Sequence, residues 1–280
     1  MSIKAVFTDM DGTLLNPQHQ ISDYTAGILR ELKKKGVYFI VATGRPYADV
    51  YSTVKKCNLE PDFIITSDGA HIRDGSFNLV REHNIEPELA QKMVQIRKVK
   101  NPVTGEEEKK FTTNIYREAE WWTDKNLPDL RSAFSEDLHV VDFGEKLYDL
   151  PAAELSKVHL MWFCGQHEDL EPVNALLQEN YESKLTWTFS MPYILNINPL
   201  GVSKGNGVRE VAELLGLSLS EVACFGDGMN DESMLQIAGR AFITENGQQG
   251  LKDAVKHGEV IESNANDGVA KKLEELFFSK

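Results

Sequence analysis

The sequence predicts an α/β protein, a doubly wound parallel sheet whose chain is interrupted by an inserted α+β domain. Three observations predict it. Short apolar runs alternate with amphipathic stretches over the first third of the 280 residues. The same alternation returns toward the C-terminus. Between them lie about 100 residues of mixed pattern, long enough to form a unit of their own.

The elements follow in order. IKAVFT is a short buried strand. Ser22 has the character of an N-cap for DYTAGILRELKKK, in which Ile28, Leu29 and Leu32 share a face, and Gly36 is its stop. VYFIVAT is the second strand, and FIITSDG, after the punctuation LEPD, the third. Apolar strands separated by such helices imply a parallel sheet covered on both faces. From His83 to Thr188 the pattern changes. NPVTGEEEKK is expected as a polar loop with the charge run Glu106–Lys110 solvated, AEWWTDKNLPDLRSAF and HEDLEPVNALLQEN as helices, and KVHLMWF as a strand. The first pattern resumes with the strand YILNIN, the helix SKGNGVREVAELLG, the strand EVACFGDG, the helix NDESMLQIAG, the strand RAFIT and the final helix DGVAKKLEELF. The expected division is 1–83 with 189–280 for the sheet domain and 84–188 for the insertion.

Charge and cysteine content narrow the class. Thirty Lys+Arg face 43 Asp+Glu, a formal charge of −13. A field of that sign repels nucleic acid and anionic membranes, so neither is an expected partner. It also repels a phosphate ester, so a phosphate site needs local positive charge. Cys57, Cys164 and Cys224 are odd in number and lack any C-x-x-C spacing, which reads as free thiols in a reducing compartment. Met1 leads almost directly into a strand, with no secretory leader, and no apolar run approaches the ~20 residues that span a bilayer. A cytoplasmic protein, monomeric or weakly dimeric, is expected.

In an open parallel sheet, ligands bind beyond the carboxyl ends of the strands. Those ends read Asp9 and Asp11, then Thr43-Gly44-Arg45, then Ser67-Asp68-Gly69, then Asp227-Gly228 with Asn230 and Asp231; Lys204 opens a helix that could reach them. Asp9, Asp11 and Asp227 crowded together call for a cation. The donors are all oxygen, so the expected metal is hard: Mg²⁺ first, with Mn²⁺ or Ca²⁺ behind it. Asp9, Asp227 and a backbone carbonyl near Asp11 would hold it. An ionised carboxylate can attack phosphorus, and a second one two residues on can protonate the leaving oxygen and then activate water. Asp9, nearer the rigid strand, is the expected nucleophile and Asp11 the acid/base, kept partly protonated by the like charge beside it. Gly12 permits the sharp turn. Thr43 offers a hydroxyl and Gly44 an unhindered N–H to phosphoryl oxygens, and Lys204 offsets their charge.

These residues stand in DMDGTLL, ATGRP, GVSKG and GDGMND, in that order. The set resembles the four motifs of the haloacid dehalogenase superfamily of phosphatases. The insertion and the ending SNANDGVAKKLEEL look like its Cof-type, sugar-phosphatase-like branch. The resemblance implies a Rossmann-like core under an α+β cap, a Mg²⁺-dependent phosphatase acting through an aspartyl phosphate, and a small phosphate ester, sugar phosphates first, as substrate. It implies Asp9 as nucleophile and metal ligand, Asp11 as acid/base and backbone metal ligand, Thr43 and Lys204 as phosphoryl binders, and Asp227 as metal ligand. Asn230 and Asp231 would orient the metal shell or the lysine. Gly44, Arg45, Asp68, Gly69 and Asn230 are the candidate substrate contacts. Two departures concern substrate choice. The family usually has Asn-Gly-Ala where this chain has SDGA, with Asp68, and often VAMGNA where it has AFITENGQQ, with Asn246 and Gly247 keeping the turn.

Plainer readings stand beside these. Asp9 and Asp11 could be a turn-and-cap pair, Thr43-Gly44-Arg45 a helix entry with Arg45 in a surface salt bridge, and Asn230 and Asp231 a helix cap. Trp121 and Trp122 read as core or interface before substrate stacking. Competing functions are a phosphomutase of similar core and cap, a metabolite-binding protein with a dead site, and a dehalogenase, for which Asp227 and the metal set would have no purpose.

Overall fold

The computed structural model describes residues 2–100, 105 and 107–279. The chain divides into two units, Met1–Arg81 with Ser203–Lys280, and Glu82–Val202.

The first unit holds an eight-stranded sheet in the order Glu259–Ile261, Arg240–Thr244, Val222–Gly226, Ala5–Thr8, Tyr38–Ala42, Phe63–Thr66, His71–Asp74, Leu79–Glu82. The first six are parallel; His71–Asp74 pairs antiparallel with Phe63–Thr66. From the central strand Ala5–Thr8, successive strands step outward on one side, and those after residue 203 step outward on the other. The switch point therefore lies between Ala5–Thr8 and Val222–Gly226.

Alternate residues feed two cores. Val6, Val41, Ile64, Phe225 and Phe242 pack with Leu29 and Leu32 of the helix Asp23–Lys34 and Leu273 of Gly268–Phe277. Phe7, Ile40, Ile65, Cys224 and Ile243 pack with Val208 and Val211 of the helix Lys204–Leu214 and with Met234 and Leu235. Both faces are covered, which is why these strands read as unbroken apolar runs. Ser22 Oγ accepts from the Thr25 N–H at 3.0 Å, and Gly36 ends that helix at φ +74°.

The second unit carries a six-stranded sheet in the order His139–Asp142, Glu120–Thr123, Phe111–Arg117, Val158–Gly165, Ile194–Pro199, Leu185–Met191. Ile115, Met161, Phe163, Leu195 and Ile197 on one face pack with the helices Pro87–Val94 and His167–Tyr181.

Three expectations are corrected here. The return to the first unit comes after Val202, so the boundary at 188/189 cuts through the strand Leu185–Met191. YILNIN pairs with Leu185–Met191 and Val158–Gly165 and joins the second sheet. AEWWTDKNLPDLRSAF is no single helix: Glu120–Thr123 is a strand and only Pro128–Arg131 is helical. Two adjacent tryptophans and a threonine favour a pleated surface over a helix. Half of the NPVTGEEEKK loop lies outside the described residues; within it Glu107–Glu108 pairs with Val99–Lys100, and Lys109 reaches inward, its Nζ 2.7 Å from the buried carboxylate of Asp124. Among the described residues no disulfide forms, and no helix is long and apolar enough to cross a membrane.

Candidate active site

Four adjacent strand ends of the first unit carry the expected polar residues. The N–H of Asp9 bonds to the Phe225 carbonyl at 3.0 Å, so the first carboxylate comes directly off the sheet ladder. The chain then turns through Met10–Leu14, with Gly12 at φ +71°. A Cβ on Gly12 would stand 2.3 Å from Asp227 Oδ2, so only glycine lets the two strand ends approach. Thr13 Oγ1 donates to Asp227 Oδ1 at 2.7 Å. The Gly12 carbonyl is held by Asn246 Nδ2 at 2.7 Å and Thr244 Oγ1 at 3.2 Å.

Lys204 is buried where the first helix turn after Ser203 meets this edge. Its Nζ lies 2.6 Å from Asp9 Oδ1 and 2.7 Å from Asp231 Oδ1. Asp231 Oδ2 accepts the N–H groups of Asp227 and Gly228 at 2.8 and 3.0 Å. Asp231 thus uses both oxygens to fix the lysine and the Asp227 turn. Asp68 sits in left-handed backbone at φ +56°, and its Oδ1 accepts from Asn230 Nδ2 at 2.9 Å. The same oxygen would lie 3.1 Å from a Cβ on Gly44. The unusual carboxylate at 68 is thereby paired with an amide, and its charge also favours the ammonium of Lys204. Gly69, at φ +108°, lies against the Ser203 carbonyl, where a Cβ would come within 2.3 Å. Thr43 Oγ1 accepts from the Arg45 N–H at 3.1 Å, and a hydroxyl that accepts one bond still has its proton to donate.

Arg45 departs from the surface salt bridge. It is buried; its Nε and Nη2 each donate to an oxygen of Asp11 at 2.6 Å, and its Nη1 donates to Asp49 at 2.5 Å.

The protonation order differs from expectation. Burial drives the Asp9 carboxyl well above its ordinary range, against the pull of Lys204. Burial likewise pushes Asp227 up to about 7. Burial also opposes ionisation of Asp11, but the Arg45 hydrogen bonds, with His19 beside them, outweigh it and hold that carboxyl well below the usual range. In this arrangement Asp11 is held ionised and is not the partly protonated acid that was expected. Lys204 is moved up despite burial, by Asp231 and Asp9.

A family model described as haloacid dehalogenase-like hydrolase matches residues 6–273. The chain belongs to this family. A Haemophilus influenzae protein named "Putative phosphatase" is 34% identical over 99% of this hydrolase and 98% of its own length. An Enterobacter protein named HMP-PP phosphatase is 30% identical over 94% and 91%. The solved structure of a haloacid dehalogenase-like hydrolase from B. subtilis superposes with a TM-score of 0.82 at 24% identity, covering 98% of this chain and all of that one.

The donor set of this hydrolase suits a hard divalent cation. Carboxylate oxygens of Asp9, Asp227 and Asp231 lie within 4.8 Å of one another. With Asp231 committed to Lys204 and two N–H groups, Asp9 and Asp227 remain as carboxylate donors. Among the described residues, buried Lys204 and Arg45, with the half-exposed His19 imidazole 3.7 Å from Asp11, stand among Asp9, Asp11, Asp49, Asp68, Asp227 and Asp231, which leaves negative charge for an ion to offset. Sequence reasoning missed Thr13, Asp49 and Thr244. Thr13 stands inside DMDGTLL and could have been read from its place in the motif; nothing in the sequence marks Asp49, four residues after Arg45, as its partner.

Proposed function

We propose that the chain is a Mg²⁺-dependent phosphomonoester hydrolase acting on small phosphorylated metabolites, sugar phosphates first. The observation that carries this reading is the buried Asp9–Lys204–Asp231 line beside Asp227. It supplies a fixed carboxylate, a cation for the transferring group and a place for a metal.

Asp9 attacks phosphorus in line with the departing alcohol and becomes an aspartyl phosphate. Lys204, the Thr43 hydroxyl and the Gly44 N–H meet the charge on the phosphoryl oxygens. Asp9, Asp227 and the Asp11 carbonyl would hold Mg²⁺, which supplies further neutralisation of the phosphoryl group when bound. Asn230 and Asp231 keep Asp68, Lys204 and the Asp227 turn in place. Asp11 protonates the leaving oxygen and then takes a proton from the attacking water. A carboxylate gripped on both oxygens by a guanidinium has no proton to give, so this role requires the Arg45 pair to open.

The test is hydrolysis of p-nitrophenyl phosphate with Mg²⁺ and with EDTA, for wild type and Asp9→Asn. Magnesium-dependent turnover that is lost in the variant is the expected result. Turnover by purified Asp9→Asn at the wild-type rate would remove Asp9 as nucleophile.

A further inference from the structure

Two segments of the first unit, AFITENGQQ and SNANDGVAKKLEEL, carry residues that the proposed chemistry does not use, and the fold brings them together. The strand Arg240–Thr244 lies beside Val222–Gly226, so the turn that follows it, 244–248, opens next to Asp227. Asn264 donates its main-chain N–H to Asn246 Oδ1 at 3.0 Å and its side-chain amide to the Leu15 carbonyl at 2.8 Å. Asn246 in turn donates its own amide to the Gly12 carbonyl at 2.7 Å, where the Thr244 hydroxyl also donates at 3.2 Å.

The same turn reaches Asp227. The Gln248 N–H donates to the Asp227 carbonyl at 2.8 Å. Gly247 lies so close that a Cβ on it would stand 3.3 Å from Asp227 Cα. One turn therefore grips, by their carbonyls, both loops that would hold the cation. The grip matters most at Gly12, which sits at φ +71° and ψ −6°. Glycine has the widest backbone freedom, and the Asp11 carbonyl immediately precedes it. Left to itself, the peptide beside that carbonyl would be the loosest part of the site. Mg²⁺ demands near-ideal octahedral geometry, so a loose donor binds it poorly. Asn246 is exposed and buries little, so its amide does more to orient the turn than to pack the core.

We infer that Asn246, backed by Thr244 and Asn264, is a positioning residue for the metal site, fixing the Gly12 peptide and, through one turn, the Asp227 loop. The inference rests on the Mg²⁺ reading of that site. It gives AFITENGQQ and SNANDGVAKKLEEL a role in metal affinity and none in substrate choice.

The experiment measures Mg²⁺ binding by isothermal titration calorimetry without substrate. Alongside it, the Mg²⁺ concentration for half-maximal hydrolysis of p-nitrophenyl phosphate and the melting temperature in EDTA are recorded. The proteins are wild type, Asn246→Ala, Thr244→Val, Asn264→Ala and, as control, Asn266→Ala, an exposed amide of the same segment. Asn246→Ala is expected to weaken Mg²⁺ about tenfold in both titrations, with kcat recovered at saturating Mg²⁺ and the EDTA melting temperature near that of wild type. Asn264→Ala shifts in the same direction by less, and Asn266→Ala does not shift. Thr244→Val, near-isosteric, weakens Mg²⁺ too and decides the matter if Asn246→Ala does not fold. A lowered melting temperature with unmoved Mg²⁺ titrations overturns the inference, as does a loss of turnover that saturating Mg²⁺ does not restore. Wild type that hydrolyses the ester equally well in EDTA and binds no Mg²⁺ removes the metal reading, and the inference with it. Wild type that binds Mg²⁺ but hydrolyses no ester removes the phosphatase reading alone, and a calorimetric shift in Asn246→Ala would still support the inference.

Discussion

Arg45 holds both oxygens of Asp11. The two bonds, each 2.6 Å, form a planar fork, and the third arm of the guanidinium reaches Asp49 on the next helix. A turn residue of the first strand and a helix residue after the second are thereby fixed through one buried cation, and the fork holds Asp11 ionised.

Replacing Arg45 by Met removes that cation from two carboxylates, one of them, Asp49, fully buried. Breaking a buried ion pair from one side destabilises by about 3–5 kcal/mol. Urea denaturation of Arg45→Met is expected to show a loss of that size. Arg45→Lys recovers only part of it, since one ammonium cannot serve both Asp11 oxygens and Asp49. A midpoint unchanged in Arg45→Met would mean the fork contributes nothing to the fold.

Asp68 and Asn230 form a second test, by exchange. Asn230→Asp places a carboxylate at hydrogen-bond distance from Asp68 Oδ1, where the amide now donates at 2.9 Å. Activity and melting temperature are both expected to fall. Asp68→Asn added to Asn230→Asp restores an amide–carboxylate pair with the roles reversed. The double variant is therefore expected to recover most of the loss, a coupling of about 1–3 kcal/mol in a double-mutant cycle. Additive losses would show that the pair does not interact.

Gly12 gives a third. Alanine there meets both a positive φ, worth about 1 kcal/mol, and the Asp227 carboxylate. Displacing a carboxylate of the proposed metal site is expected to weaken Mg²⁺ at least about tenfold in a titration of aryl-phosphate hydrolysis. Gly36→Ala is the control: its φ is +74°, and a Cβ there meets nothing within 4 Å. It should lose comparable backbone stability with the Mg²⁺ titration unmoved. Coincident titrations for wild type and Gly12→Ala would separate Asp227 from metal binding.

The strand ends were legible because a buried parallel strand stays apolar to its last residue, and polar residues just beyond it are there for a reason. Asp9, Asp227 and Asp231 came from that punctuation, Lys204 from the helix start that could reach them, and they do converge. Arg45 came from the same punctuation, but its fork on Asp11 was not legible, because a side chain's direction after a turn is set by packing and not by spacing. Ile194–Pro199 shows a missed signal. Its Leu195 and Ile197 alternate with Asn196 and Asn198, the period of a sheet covered on one face. VACFG, in the fully covered sheet, has no such alternation. Read for period as well as hydrophobicity, YILNIN belongs to the second sheet.

The buried acids of the proposed metal site give stability a pH dependence. Asp9 and Asp227 are raised above the ordinary 3.8 by burial, Asp227 to about 7. A raised acid binds its proton more tightly folded than unfolded. Between the unfolded and folded values the native state therefore holds more protons, and stability falls as pH rises. Asp11 acts oppositely: its Arg45 pair stabilises the fold above the ordinary carboxylate range and is lost only as pH falls through its lowered value. In EDTA the melting temperature is thus expected to fall from about pH 5 to about pH 8. Mg²⁺ needs the same carboxylates deprotonated, so its stabilising increment should be larger at the higher pH. Asp227→Asn separates this from the general effect of the −13 net charge: its EDTA profile should be flatter than that of wild type, and its Mg²⁺ increment small at both pH values. Scanning fluorimetry on the two proteins, with and without Mg²⁺, reads all of this. Identical slopes in EDTA would remove Asp227 as a titrating group, and an equal Mg²⁺ increment in the two proteins would remove it as a ligand.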